Sequence, residues 1–252
     1  MPNGNVADKI APVHAVRSTL NCLIYGEAGV GKTRASATAP KPLIVDCNEK
    51  GTMSIRDMEG VDVYELERFD ELTSVLRYLR GDHGYETAVF DSITGLSQVC
   101  MRQVLDDQSA MDASKDPSLP AMRDYGKANE LMRQFILESR DLEMNVIFTA
   151  LERIRTDDET GESQIMPSLT PGVMNTALAQ VDVVGWIHVH KSRNKKTKKS
   201  KTIRRLLVGP SPFYATKDRL GLYGRYVINP NFTDMVNAIG GKGKEAPEEE
   251  ED

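Results

Sequence analysis

Apolar residues along this chain fall into short unbroken runs that alternate with longer stretches at helical spacing, which predicts an α/β domain of buried strands covered by amphipathic helices. The runs are Leu20 with Cys22, Leu23, Ile24 and Tyr25; Leu43 to Asp46 behind Pro42; Thr87 to Asp91; and Asn145 to Thr149. Between them, Phe69, Leu72, Val75, Leu76 and Leu79 share a helical face that Gly81 closes, Thr94 to Asp106 reads as helix, and Tyr125, Ala128, Leu131, Met132, Phe135, Ile136 and Leu142 mark a long amphipathic helix. Polar stretches at Asp107 to Pro120 and Arg153 to Gly172 predict long loops. Val181 to His190 and Thr202 to Val208 predict the two strands of a C-terminal β-hairpin, and Asn229-Pro230 opens a last short helix to Ile239. The expected organisation is an N-terminal extension at 1–17, one domain at 18–240 with a mainly parallel central sheet flanked by helices, and a flexible acidic tail at 241–252.

With 252 residues, 40% of them hydrophobic, the chain can bury one large core. No stretch nears the ~18 apolar residues that span a bilayer, and residues 1–20 lack the apolar centre of a signal peptide, so a cytoplasmic location without membrane contact is expected. Cys22, Cys47 and Cys100 are too far apart for a zinc knuckle and odd in number, which predicts three small core residues in a reducing compartment.

The sharpest chemical signal follows the first run directly. Gly26, Glu27, Ala28, Gly29, Val30, Gly31, Lys32 and Thr33 spell GxxxxGK(S/T), whose glycines let the backbone wrap a polyphosphate and turn its N–H groups inward. In this pattern Lys32 reaches the β- and γ-phosphates and Thr33 holds Mg²⁺, while Arg34 opens a helix-compatible stretch to Thr38 whose positive end faces the anion. A nucleoside triphosphate is the expected ligand.

Asp91 closes an apolar strand about sixty residues later, where a carboxylate would hold the Mg²⁺ shell through water. Hydrolysis also needs a group that aligns the attacking water. Glu49, just past the strand Leu43 to Asp46, is the first candidate and Glu152, past Asn145 to Thr149, the second; Thr149 is placed to sense the γ-phosphate from its strand end.

The net charge of −5 conceals a segregation. Residues 191–205 hold nine of the 32 basic residues and no acid, leaving 23 basic against 37 acidic residues elsewhere, a balance of −14; Glu245 to Asp252 holds six acids. Lys191, Arg193, Lys195, Lys196, Lys198, Lys199 and Lys201 thus gather at a hairpin tip, and such a cluster is best neutralised by nucleic-acid phosphates. Lys217 and Arg219, with Arg204 and Arg205, are candidates for a cation that completes a neighbouring subunit's site. His14, His83, His188 and His190 show no metal spacing, and Trp186 reads as core.

The phosphate loop Gly26 to Thr33, Ile44-Val45-Asp46-Cys47-Asn48-Glu49-Lys50-Gly51, Val89-Phe90-Asp91-Ser92 and Phe148-Thr149-Ala150 resemble the core of RecA-like recombinases. With Asp124-Tyr125-Gly126, Pro167-Ser168-Leu169, Val181 to Gly185 and Lys217-Asp218-Arg219, the chain looks more closely like the small phage RecA-like single-strand annealing proteins, often labelled phage nucleotide-binding or AAA family ATPases; the likeness spans about residues 18 to 225. It implies a RecA-like P-loop NTPase core using ATP and Mg²⁺, self-assembly into a ring or filament, binding of single-stranded DNA, and annealing aided by a single-strand DNA-binding protein in the bacterial host cytoplasm. It also makes Asp107 to Pro120 and Arg153 to Gly172 the DNA-facing loops, with Arg153 and Arg155 as phosphate contacts. The sequence departs from the family pattern in the acidic stretch Asp157 to Glu162 and in Asn48, inserted before Glu49. Two other roles fit the same motifs: a helicase loader or replicative motor ATPase, and a nucleotide-dependent scaffold that binds a replication protein with little hydrolysis.

Overall fold

The structure, a computed structural model, describes residues 19–112, 116, 118–157, 161–193 and 200–240. The predicted N-terminal extension and acidic tail lie outside the described residues, as do the hairpin-tip lysines Lys195, Lys196, Lys198 and Lys199. In chain order the strands are β1 (Asn21–Gly26), β2 (Pro42–Asp46), β3 (Asp62–Glu65), β4 (Thr87–Asp91), β5 (Asn145–Thr156), β6 (Ser163–Pro167), β7 (Val183–Arg193), β8 (Ser200–Leu207), β9 (Lys217–Asp218) and β10 (Tyr226–Ile228). The helices are α1 (Lys32–Ser36), α2 (Glu71–Leu79), α3 (Ile93–Met111), α4 (Met122–Arg140), α5 (Pro171–Gln180) and α6 (Phe232–Ile239), with a 3-10 turn at Gly51–Ile55.

The apolar runs become the inner strands of one sheet, ordered β10-β8-β7-β1-β5-β4-β2-β3. From β7 through β3 every neighbouring pair is parallel, while β8 and β10 add antiparallel strands at one side. Strands buried on both faces must be apolar at successive positions, and β1, β2 and β4 are buried throughout. Register fixes the site: Ile24 lies opposite Thr149, Tyr25 opposite Trp186, and Asp46 opposite Asp91.

Side chains alternate across the sheet, so each face has its own core. Leu23, Tyr25, Phe90 and Phe148 meet α2 to α5 on one side, where Phe135 packs edge-on to Phe90 with ring centroids 4.9 Å apart. On the other side Ile24, Ile44, Val89 and Ile187 meet α1 and the buried Phe232 of α6.

Several boundaries differ from the sequence expectation. Helix α3 continues through Asp107 to Met111, so the first predicted DNA-facing loop is shorter than expected. Arg153 to Gly172 is not a loop: β5 continues to Thr156 and turns back into β6, with Glu152 paired to Pro167 and Thr156 to Ser163, before α5 begins at Pro171. Backbone pairing offsets the polarity that made this stretch read as irregular. Edge strand β3 escaped because all four of its residues are exposed and no apolar run betrays it. The helix after the phosphate loop is Lys32–Ser36, shifted toward the loop from the predicted Arg34 to Thr38.

Candidate functional site

The carboxyl ends of β1, β2, β4 and β5 meet along one rim of the sheet, where ligands of open α/β sheets bind. From β1 the chain turns through Gly29 (φ 79°) and Gly31 (φ 100°), left-handed settings that glycine adopts without strain. Glu27, Ala28 and Gly29 are exposed, whereas the Val30 side chain is buried in the core shared with Ile187 and Leu206. Because α1 spans only five residues, the anion-holding power of this loop rests mainly on its own N–H groups.

Lys32 is buried, and its ammonium donates to the carbonyls of Gly26 at 3.0 Å and Glu27 at 2.8 Å. Burial pulls this ammonium below the usual lysine value, while Asp91, Glu49 and Glu152 push it back up. All three candidate acids therefore act on the same cation. Arg34 turns outward instead, forming a fork on Asp57 at 2.9 and 2.8 Å and donating to Ser54 O, so its contribution to a nucleotide would be its backbone N–H.

Asp91 is 4% exposed and its two carboxylate oxygens have different partners. Thr33 Oγ1 donates to Oδ2 at 2.6 Å, and Thr149 Oγ1 donates to Oδ1. A Cβ built on Gly51 would stand 3.1 Å from Thr33 Oγ1 and 3.7 Å from Asp91 Oδ2, so the chain after β2 closes tightly over this pair. Among the described residues no cluster of three or more His, Cys, Asp or Glu could hold a metal alone. Mg²⁺ does not need one: it keeps several waters and binds through one or two protein groups plus substrate phosphates, for which Thr33 and Asp91 are suited.

Glu49 is held by two devices. Ser92 Oγ donates to its Oε1 at 2.6 Å while accepting the Gly95 N–H at 3.1 Å as the cap of α3. Beneath it, Asp46 Oδ1 accepts the N–H groups of Glu49 at 2.9 Å and Lys50 at 3.1 Å, and the inserted Asn48 takes a left-handed φ of 71° that lets the chain make this tight turn. Burial holds the Asp46 carboxyl above the usual carboxylate range, against those two N–H bonds. Glu152 faces elsewhere: its Oε2 accepts the indole N–H of Trp186 at 2.7 Å. Trp186 in turn stacks on Tyr214 and His188, with centroids 4.0 and 4.2 Å away.

The four cations considered for action on a neighbour all have partners within the chain. Lys217 donates to Leu178 O at 2.6 Å and Arg219 to Ala179 O at 2.9 Å, so both cap the carboxyl end of α5. Arg205 lies 5.5 Å from the Tyr226 ring centroid, and Arg204 donates to Val30 O in the phosphate loop at 2.8 Å. Arg153 lies opposite Met166 in the β5–β6 pair, partly buried and with its Nε buried, whereas Arg155 is exposed. Lys191 is exposed on β7, Arg193 ends that strand and Lys201 lies on β8. An open concavity of about 310 Å³ at the β3 edge, lined by Lys41, Asp62 and Tyr85 among others, is separate from this rim.

Sequence reasoning passed over Ser92, Asp46 and Trp186 as functional residues. Ser92 was signalled by standing next to Asp91, but Trp186 could be found only from the register that sets β7 beside β1. No helix among the described residues is long and apolar enough to cross a membrane. In comparisons with known proteins, no curated protein matches the chain. The family described as AAA domain matches residues 18–220, the span that contains the phosphate loop, Glu49, Asp91 and Glu152. This chain belongs to that AAA domain family, of the P-loop NTPase type.

Proposed function

We propose that this chain is an ATP-hydrolysing DNA recombination protein of the phage RecA-like type, which holds single-stranded DNA and promotes annealing of complementary strands. Lys32 draws charge from the β- and γ-phosphates, and Glu49, steadied by Ser92, aligns the attacking water. Thr33 and Asp91 would hold Mg²⁺, which when bound would supply neutralisation of the phosphate charge.

The observation that carries the reading is the β7–β8 hairpin. The strand pair that bears the basic run also borders the phosphate-loop strand, since β7 pairs with β8 on one side and with β1 on the other. The basic run begins at Lys191, five positions beyond Trp186, the last β7 residue paired with β1, so a polyanion bound to it would lie further along the same strand. The order of motifs along the chain supports a RecA-type core, and subunits of such a core would assemble as a ring or filament on the strand, with a single-strand DNA-binding protein presenting it.

The test measures ATP turnover with and without single-stranded DNA, a mobility shift of labelled oligonucleotides at low salt, annealing of complementary strands, and particle shape by electron microscopy. Stimulated turnover, a salt-sensitive shift and ATP-dependent annealing are expected. Failure to shift single strands at low salt would sink the recombination role while leaving the ATPase untouched.

A further inference from the structure

Arg204 lies on β8, yet its side chain reaches back to the phosphate loop across 174 positions of sequence, where Nε donates to Val30 O at 2.8 Å. The contact is close on both sides: a Cβ on Gly31 would stand 2.5 Å from that same nitrogen. The backbone behind it is fixed, because the Arg204 N–H donates to Asn229 Oδ1 at 3.0 Å and the Asn229 N–H donates to Arg204 O at 2.7 Å. Arg205, the next residue along, points to the opposite face and lies over Tyr226. Only one of the two arginines therefore addresses the loop.

A trans peptide is planar, so the carbonyl of Val30 and the N–H of Gly31 point in opposite directions from one rigid unit. A guanidinium that holds the carbonyl outward aims the amide inward, toward the phosphates. Its charge also polarises that peptide and strengthens the amide as a donor. The Val30 side chain, buried beside Leu206, anchors the same unit from its other end.

We infer that Arg204 is a positioning residue for the nucleotide, acting on the phosphate loop of its own subunit rather than on a neighbour. This rests on the nucleotide-binding reading of the loop and not on any role in DNA metabolism. The chemical class served is a polyphosphate, whose oxygen would accept the Gly31 N–H.

The experiment uses the full-length chain with Arg204→Met, which keeps the apolar stem, and Arg204→Lys, which restores a cationic donor. Affinity for a fluorescent ATP analogue and the unfolding temperature without nucleotide are measured for each. Arg204→Met should weaken binding by about tenfold, the worth of one charge-assisted hydrogen bond, with the nucleotide-free unfolding temperature within about 2 °C of the original. Arg204→Lys should recover most of the affinity. In a mixture of Arg204→Met and Lys32→Ala chains, sites of full affinity should not appear. Unchanged affinity in Arg204→Met, a large fall in nucleotide-free stability, or full-affinity sites in the mixture would each overturn the assignment. An original chain that binds no nucleotide would instead remove the nucleotide reading itself.

Discussion

Thr33 and Asp91 stand 58 positions apart in sequence, and the Thr33 hydroxyl donates to Asp91 Oδ2 at 2.6 Å. The first turn of α1 and the carboxyl end of β4, which carry the two oxygens proposed to hold the metal, are thus tied to each other. Asp91→Asn keeps the shape of the side chain but removes its charge. ATP turnover should fall about 100-fold, because several kcal/mol of charge stabilisation pass through the metal. Turnover against Mg²⁺ concentration checks this, and a loss that high Mg²⁺ fully reverses would place the defect in metal affinity alone.

Glu49 and Glu152 are separable by substitution. Glu49→Gln should lower turnover by about 100-fold while nucleotide affinity stays within about twofold, the pattern of a group that acts on the water. Ser92→Ala removes the bond that steadies Glu49 and should lower turnover by about tenfold without changing affinity. Single-turnover kinetics distinguishes these effects from product release.

Trp186 is the only tryptophan in the chain and its indole N–H is bound to Glu152, one of the three acids that act on Lys32. Binding of ATP should therefore shift its emission. Glu152→Ala should abolish that shift with nucleotide affinity changed by less than about threefold. Fluorescence titration beside calorimetric binding checks the pair of expectations.

Asp46 gives a pH signature. Its folded carboxyl titrates above the usual value of 3.8, so the fold prefers its neutral form. That preference contributes fully at pH below 3.8 and is lost as pH rises through the raised value. Relative to Asp46→Asn, which stays neutral, the original chain should lose stability as pH rises from about 3.5 to about 7. The loss should be modest, because the N–H groups of Glu49 and Lys50 favour the charged form and oppose the effect of burial. Denaturant unfolding of both chains across that range is the measurement; a flat difference would contradict the buried-carboxylate picture.

Much of this was legible from local patterns. The phosphate loop needs only eight consecutive residues to declare itself, and the placing of Asp91 at the end of one inner strand and Glu49 just past another could be read from the apolar runs. Long-range pairings were not legible. Glu152 meets Trp186 only because β5 and β7 both flank β1, and Arg204 meets Val30 only because β8 lies one strand further out. The stretch Arg153 to Thr156 read as loop because half of a hairpin strand can be polar when its backbone bonds are paired.

The central place of β1 also governs how the chain comes to be made. Its two partners, β5 and β7, begin at Asn145 and Val183, so this strand waits for its neighbours until more than a hundred further residues have been synthesised. Such distant pairings are slow to form, and an apolar strand waiting for them is exposed to aggregation. A nascent chain that stops short of β8 would own every residue of the phosphate loop and still lack Arg204. ATP in the surrounding medium would then favour finished molecules over incomplete ones, by binding the folded form alone.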